Sequence, residues 1–217
     1  MEIQCPKIRI GNDDSWDDIR LAFQGSAECR MGQAWLPAPD PRFRSGVVRS
    51  GWRAGEWLVY AELEDDEAFN PISDFNGLLF MHGDVLELFL RPVDQAAYCE
   101  LHIAPNNQKF QLRIPSGEVF RRPRAEPGVP KEWLVRDPVI FSRVRVEAAQ
   151  RRWLVFAAIP FGMVSECGTA GPGTRWKFSF SRYDYTRGES EPVHSSTSPH
   201  KRLNFHIQED WGILVFT

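Results

Sequence analysis

The chain has 217 residues, with 26 basic and 29 acidic side chains and a formal net charge of −3. No block of like charge forms a basic patch or a charged tail, which argues against a nucleic-acid partner. No stretch has the length and apolarity of a signal peptide or a membrane span. The sequence as it stands therefore predicts a cytoplasmic protein without a membrane partner, or a secreted one if a leader has been removed.

The aromatic and cysteine contents carry more information than the charge. Eight Trp and 15 Phe suit pleated, half-buried surfaces and also flat-faced ligands such as sugars. The four cysteines stand far apart and form no CxxC pair, so a zinc site is not indicated and a reduced protein is expected.

Eight short runs have the composition of β-strands, and loops rich in Gly, Pro, Asn and Asp separate them. In chain order these runs begin at Glu56, Asp84, Tyr98, Lys109, Pro138, Arg152, Arg175 and Trp211. The earlier stretch Ser15-WDDIRLAFQ fits either a short helix or an edge strand. The series predicts an all-β fold, an antiparallel β-sandwich of the jelly-roll type. No linker divides residues 1–217, which predicts a single domain, with 121–132 as one long surface loop.

Side-chain alternation assigns two faces to the second, third and fourth predicted strands. Their leucines, isoleucines, Phe110 and Cys99 are assigned to the core. The polar positions between them are assigned to the outer face: Glu87, Glu100, His102, Gln111 and Arg113. A polar outer face is ordinary in an antiparallel sheet, so alternation alone leaves both a solvated surface and a binding surface open.

Four landmarks, in the same order along the chain, resemble the family 9 carbohydrate-binding modules and the related DOMON-like sandwiches. They are Trp57-LVYAELEDDE; Gly83-DVLELFLRP with Tyr98-CELHIAPNN; Arg152-WLVFAAIPF; and Trp176-KFSFSRYD with Phe205-HIQEDWGILVF. Together they cover about residues 52–217. The resemblance implies a sugar site on the concave sheet, where two aromatic residues clamp a terminal sugar ring and polar side chains hold its hydroxyls.

The resemblance also implies which side chains form that site. The acidic residue of the family's gD-x-x-E pattern falls on Glu87, and its polar pair on the next strand falls on Glu100 and His102. One aromatic wall falls on Phe205, with His206 beside it.

Three further positions are implied by the same resemblance. The second aromatic wall falls near Met81, where the family has Trp and where Phe80 adjoins. Arg182 matches a common arginine that either reaches the site or braces the sheet. Arg202 stands where a side chain that binds hydroxyls could lie.

Two cofactors are considered. The acidic strand end 62–67, and Asp65 and Asp66 within it, could bind calcium as relatives do, but no DxDxDG loop is present and a solvated acidic turn explains the same residues. Haem is a runner-up, because Met81, His82, Met163 and His102 are of the types that serve as axial ligands.

The sequence therefore predicts non-catalytic carbohydrate binding, with oligomeric state and sugar left open. No GxSxG, HExxH or P-loop motif supports an enzyme. The alternatives are a haem-binding, DOMON-like electron-transfer domain and an interaction module that has lost its ligand. The last would show a shallow surface, without a pocket, between Phe205 and Met81.

Overall fold

The computed structural model describes residues 1–123 and 128–217. Two β-sheets pack face to face. The seven-stranded sheet has the spatial order β1 (Glu2–Cys5), β12 (Gly212–Phe216), β10 (Arg175–Asp184), β5 (Val85–Pro92), β6 (Tyr98–Ile103) and β7 (Lys109–Ile114), and β11 (Val193–Ser196) also pairs with β10. The five-stranded sheet has the order β2 (Cys29–Arg30), β3 (Gly46–Arg53), β4 (Glu56–Glu64), β9 (Arg152–Pro160) and β8 (Phe141–Glu147).

The strand pairs are antiparallel except for β1 and β12, which run parallel. The predicted all-β sandwich is confirmed, and each of the eight predicted runs contains a strand. The strands β1, β2, β3 and β11 were not predicted. Three of them have only two to four residues, and the polar and glycine positions of the fourth, GVVRSGWR, weaken its alternation.

Short helices and turns connect the strands. The helices are α1 (Trp16–Ala22), α2 (Gly117–Arg121) and α3 (Phe161–Val164), and the 3-10 turns are Leu79–Met81, Lys131–Trp133 and Ala148–Gln150. The open choice at residues 15–24 is settled as a helix, because the Ser15 hydroxyl accepts the Asp18 N–H at 3.1 Å and caps it. No helix among the described residues is long and apolar enough to cross a membrane.

The main core lies between the two sheets. It contains Leu86, Leu88 and Leu90 of β5 and the stacked rings of Trp57 and Phe180, whose centroids are 6.0 Å apart. Cys99 lies there as a buried thiol, as predicted, and all four cysteines are unpaired.

A second hydrophobic cluster covers the outer face of the seven-stranded sheet. Val85, Phe89, Phe110 and Leu112 point into it from the strands, and loop residues such as Trp133 cover them. Because loop residues cover this face of the sheet, a cavity can form between the loops and the strands. Of the two possibilities that alternation left open for this face, the covered face does not fit a solvated surface.

The assignment of β7 is wrong for the same reason. His102 pairs with Phe110 and Glu100 with Leu112, so these apolar side chains share the outer face, while Gln111 lies opposite the core residue Leu101. Gln111 and Arg113 therefore point away from Glu87. Alternation separates two faces but cannot say which one is the core when both are covered.

Candidate functional site

A cavity of about 500 Å³ opens on the outer face of the seven-stranded sheet. Its walls are largely aromatic and include Phe80, Phe120, Trp133, Tyr183 and Phe205. Two carboxylates, Glu87 and Glu100, form its acidic floor. An apolar wall with a few convergent polar groups is the common design of a small-molecule site.

The floor is built by register between two neighbouring strands. Glu87 on β5 lies directly opposite His102 on β6, and Glu100 is two residues before His102 on the same face. The His102 Nε2 atom is 2.8 Å from Glu100 Oε1 and 3.1 Å from Glu87 Oε1. Only 3% of Glu87, 7% of Glu100 and none of His102 is exposed. One imidazole thus joins two buried carboxylates.

Burial and charge act in opposite directions on these three groups. Burial raises the pKa of Glu87, the Glu100 carboxylate adds to the rise, and His102 opposes it. For Glu100, burial alone would raise the pKa, but the hydrogen bond from His102 and the charge of His206 outweigh it, and the pKa is lowered. Burial alone would lower the pKa of His102, but the two carboxylates raise it. Glu100 is therefore the ionised member of the pair, and Glu87 is the one that keeps a proton.

His206 links the floor to one wall. Its Nδ1 shares a 2.9 Å hydrogen bond with the Tyr98 hydroxyl, and its Nε2 lies 3.7 Å from Glu100 Oε2. The Phe120 ring of α2 stacks on the imidazole, with ring centroids 3.6 Å apart. A helix of the segment that follows β7 therefore contributes directly to the cavity.

The cavity wall at Phe80 is held in place by hydrogen bonds to the turn that carries this residue. The Tyr185 hydroxyl donates to the Phe80 carbonyl at 2.9 Å, and the Asn70 amide donates to the Leu79 carbonyl at 3.0 Å. The Asp84 carboxylate accepts the N–H groups of Phe69 and Tyr185 at 2.6 and 2.7 Å. The aspartate of the gD-x-x-E pattern therefore fixes the loop that carries Phe80, and it does not reach the cavity.

The opposite wall is held by the residue that precedes β12. The indole N–H of Trp211 donates to the Phe205 carbonyl at 2.8 Å. The Phe205 ring lies between Trp35 and Tyr183, at centroid distances of 6.0 Å from each.

Five of the eight residues assigned to the sugar site are brought together at the cavity. Glu87, Glu100, Phe205 and His206 line it, and His102 lies directly behind the two carboxylates. The structure does not bring Met81, Arg182 or Arg202 into this group.

Each exception has a local cause. Met81 is 54% exposed, because the 3-10 turn 79–81 turns Phe80 inward instead. Arg202 is exposed and is not among the described residues that line the cavity. Arg182 takes the second of its two predicted roles. It is fully buried and braces the sheet end, since its guanidinium donates to Asp65 Oδ2 at 2.8 Å and to the Glu64 carbonyl at 2.6 Å.

The predicted calcium ligands do not converge. Asp66 turns outward and pairs with Arg44 and Arg151. The acidic cluster that does form is Asp65, Asp84 and Asp184.

The acidic cluster is a poor fit for calcium. Its Asp65 and Asp184 already share the Arg182 guanidinium, which lies 3.3 Å from Asp184. Both oxygens of Asp84 accept backbone N–H groups. Calcium needs six or more oxygen ligands that are not already committed to other partners.

The haem hypothesis also loses its ligand set. Met163 packs in the core between the sheets, whereas His102 points to the other side of β6. Met81 and His82 are exposed, and the His102 Nε2 atom is occupied by two carboxylates. Met163 and His102 therefore do not face a common site.

Several cavity residues were not assigned from the sequence. The sequence gives Trp133 no assigned role, and it gives Phe80 only as a neighbour of Met81. Phe120, Tyr183 and His194 carried no usable signal, because they come from a five-residue helix, the edge of the Arg182 motif and a short strand. The stretch 121–132 was interpreted as a surface loop. Its residues 124–127 lie outside the described residues, but 128, 129 and the turn Lys131–Trp133 belong to the cavity wall or its support.

The fold and the cavity define a β-sandwich with a ligand-sized cleft on one sheet. No family model matches the sequence, and the search of curated proteins gives no match. Solved structures match over the whole chain. A protein proposed to bind carbohydrate, from Bacteroides uniformis, is 16% identical with a TM-score of 0.73, covering 100% of this chain and 99% of that one.

Two structures of a family 9 carbohydrate binding module from Caldicellulosiruptor kristjanssonii also match. The complex with cellotriose is 15% identical, with a TM-score of 0.68 and coverage of 100% and 94%. The complex with glucose is 14% identical, with a TM-score of 0.67 and coverage of 100% and 96%. The chain therefore has the fold of family 9 carbohydrate-binding modules, as the sequence predicted.

Proposed function

We propose that this protein is a non-catalytic carbohydrate-binding module whose ligand occupies the cavity above Glu87 and Glu100. The observation that carries the proposal is the combination of aromatic walls with a buried, hydrogen-bonded polar floor. Sugar rings present apolar C–H faces that pack on aromatic rings, and their hydroxyls require paired acceptors and donors. The likeness to modules solved with cellotriose and glucose supports the same ligand class.

A binding role explains the floor better than a hydrolytic one. A glycosidase places its two carboxyl groups on either side of the scissile bond. Here both carboxylates contact one nitrogen atom of His102 on one side of the cavity. We expect the protein not to hydrolyse cello-oligosaccharides.

The interaction-module alternative receives no support from the surface. That alternative predicts a shallow face at Phe205, and the structure has a cavity of about 500 Å³ there. The cavity is bounded by Phe80 rather than by Met81.

Isothermal titration with glucose, cellotriose and other mono- and oligosaccharides tests the proposal. Phe205→Ala should weaken the binding of any sugar that the wild type binds by about tenfold, because loss of a stacking ring costs on the order of 1–2 kcal/mol. Phe141→Ala, a partly buried phenylalanine on the five-stranded sheet, is the matched control and should bind as wild type. Absence of binding to every sugar of the panel by folded wild-type protein would refute the proposal.

A further inference from the structure

One tyrosine of the cavity carries a hydroxyl group that the fold itself does not use. Tyr183 of β10 lines the cavity and is partly exposed there, and its hydroxyl has no hydrogen-bond partner among the described residues. The hydroxyls of Tyr98 and Tyr185 are engaged, with His206 Nδ1 and with the Phe80 carbonyl, both at 2.9 Å. A polar group in an apolar wall normally has a partner. For Tyr183, that partner must come from the contents of the cavity.

The Tyr183 ring lies between the two aromatic walls. Its centroid is 5.9 Å from that of Phe80 and 6.0 Å from that of Phe205, at interplanar angles of 60° and 79°. A sugar ring that packs its apolar faces on Phe80 and Phe205 turns its edge, which carries the hydroxyl groups, toward the space between these walls. Tyr183 is therefore placed to meet the edge of the sugar ring rather than one of its faces.

A neighbouring strand fixes the position of this ring. His194 on β11 lies directly opposite Tyr183, and the two ring centroids are 4.4 Å apart. The Gln33 amide donates to the His194 carbonyl at 2.8 Å, which ties the short strand β11 to the loop between β2 and β3. A hydroxyl on a ring that is already fixed loses little freedom when it binds a ligand.

The acidic floor offers an acceptor in the same cavity. Glu100 Oε1 is engaged by His102 Nε2 at 2.8 Å, but Glu100 Oε2 lies 3.7 Å from His206 Nε2, beyond hydrogen-bond distance. No described residue donates a hydrogen bond to Oε2. Burial raises the pKa of the Tyr183 hydroxyl, and the charges of Glu87 and Glu100 add to the rise. The hydroxyl of Tyr183 therefore stays protonated and is a donor.

The hydroxyl groups of a sugar match this donor and this acceptor. A hydroxyl donates one hydrogen bond and accepts two, so a sugar can accept from Tyr183 and donate to Glu100. Because His102 already lies between the two carboxylates, the ligand does not have to carry a charge.

We infer that Tyr183 determines specificity: its hydroxyl donates a hydrogen bond to one hydroxyl oxygen of the bound sugar, while Glu100 accepts from the same sugar. The inference rests on the proposed function and deepens it, because it assigns a polar contact to a residue that the sequence did not select. A sugar without that hydroxyl binds more weakly.

Tyr183→Phe removes the hydroxyl and keeps the ring. Each sugar that the wild type binds, glucose and cellotriose included, should bind about fivefold more weakly, because one net hydrogen bond is lost. The free energy of unfolding in urea should stay at the wild-type value, because the hydroxyl has no partner to lose among the described residues. Tyr60→Phe is the matched control. Its hydroxyl lies 3.4 Å from Arg20 Nε on the five-stranded sheet, and this variant should bind as wild type.

Monodeoxy derivatives of glucose identify the hydroxyl that Tyr183 contacts. At one ring position, loss of the hydroxyl should cost the wild type about fivefold more affinity than it costs Tyr183→Phe. At the other positions, the loss should cost the two proteins the same factor. This coupling between one side chain and one ligand group is the signature of direct contact.

The outcomes separate this inference from the proposed function. Unchanged sugar affinity in folded Tyr183→Phe would overturn the inference and leave the proposed function in place. Lower stability of Tyr183→Phe would also overturn it, because the hydroxyl would then have a partner within the protein. Equal costs of deoxygenation in both proteins at every ring position would count against it in the same way. Failure of the wild type to bind any sugar of the panel would overturn both.

Discussion

At the scale of single residues, Arg182 is the side chain whose loss should cost the most. Its guanidinium is fully buried and holds two carboxylates, Asp65 and Asp184. Removing one partner of a buried ionic group leaves the other charges uncompensated, which destabilises proteins by about 3–5 kcal/mol.

Arg182→Met tests this role. We expect its free energy of unfolding in urea to fall by about 3–5 kcal/mol. Arg44→Met is the matched control at the same strand end. Arg44 pairs with Asp66 at the surface, so its loss should cost less than about 1 kcal/mol. Equal losses in the two variants would show that Arg182 is not the brace.

The structure places side by side the residues on which strand alternation and family position agreed. Alternation selected Glu87, Glu100 and His102, and the resemblance selected the same three. The resemblance assigned the second wall to Met81, whereas its neighbour Phe80 lines the cavity. Both residues lie in a 3-10 turn, where side-chain direction has no two-residue period. Strand alternation assigned Gln111 to the wrong face, because the outer face of the sheet is apolar where loops cover it.

At the scale of elements, the connection between β4 and β5 depends on one glycine. A Cβ atom at Gly83 would lie 2.6 Å from the Phe69 carbonyl oxygen and 2.7 Å from the Asn70 Cα. Both atoms belong to backbone, so neither can swing away. Position 83, the first residue of the gD-x-x-E pattern, is therefore glycine because two chain segments cross there in close contact.

Gly83→Ala should destabilise the protein by about 1–3 kcal/mol, the usual cost of forcing extra volume into a packed site. Thermal or urea unfolding measures it. Gly25→Ala is the control, because a Cβ at Gly25 meets nothing within 4 Å. A Gly83→Ala protein as stable as the Gly25→Ala protein would mean that the crossing can relax.

The elements that sequence reasoning missed are those without a strong local pattern. β11 has four residues and α2 has five, and such lengths give too few positions to establish a period. Their places are set by tertiary contacts instead. Phe120 of α2 stacks on His206, which comes from a segment 86 residues further along the chain. No local rule links those two positions.

At the scale of the whole molecule, the buried acidic cluster should make stability depend on pH. Burial raises the pKa of Asp184 from its ordinary value of 3.8 to about 6, with Arg182 opposing the rise and Asp65 adding to it. A carboxyl group whose pKa is raised in the folded state stabilises that state while it is protonated. This contribution is present below about pH 4 and is lost as the pH rises through about 6.

Asp184→Asn removes this contribution. Between about pH 4 and pH 7, the difference in unfolding free energy between variant and wild type should move in favour of the variant by about 3 kcal/mol, which is the shift of about two pKa units multiplied by 1.36 kcal/mol. Urea unfolding at the two pH values measures it. Glu2→Gln should differ from wild type by less than about 0.5 kcal/mol at both. A pH-independent difference for Asp184→Asn would contradict the prediction.

The architecture as a whole could be predicted, because eight strands with turn-rich connections have few alternatives to a sandwich. The pairing of the first strand with the last could not be predicted from the sequence. β1 has four residues and precedes its partner by more than 200 positions, and it is placed by the free edge of β12 rather than by its own sequence.

That pairing determines how the molecule would respond to tension. Because β1 and β12 run parallel, the start of β1, where Met1 accepts the Ile213 N–H, and the end of β12, where Thr217 accepts the Lys7 N–H, lie at opposite ends of the pair. Force applied through the two chain ends would slide the strands along each other and load all of their hydrogen bonds at once. In the opposite geometry, the bonds would break one after another. Residues 1–217 would therefore resist stretching by shear, which would keep the cavity intact while the two ends are pulled apart.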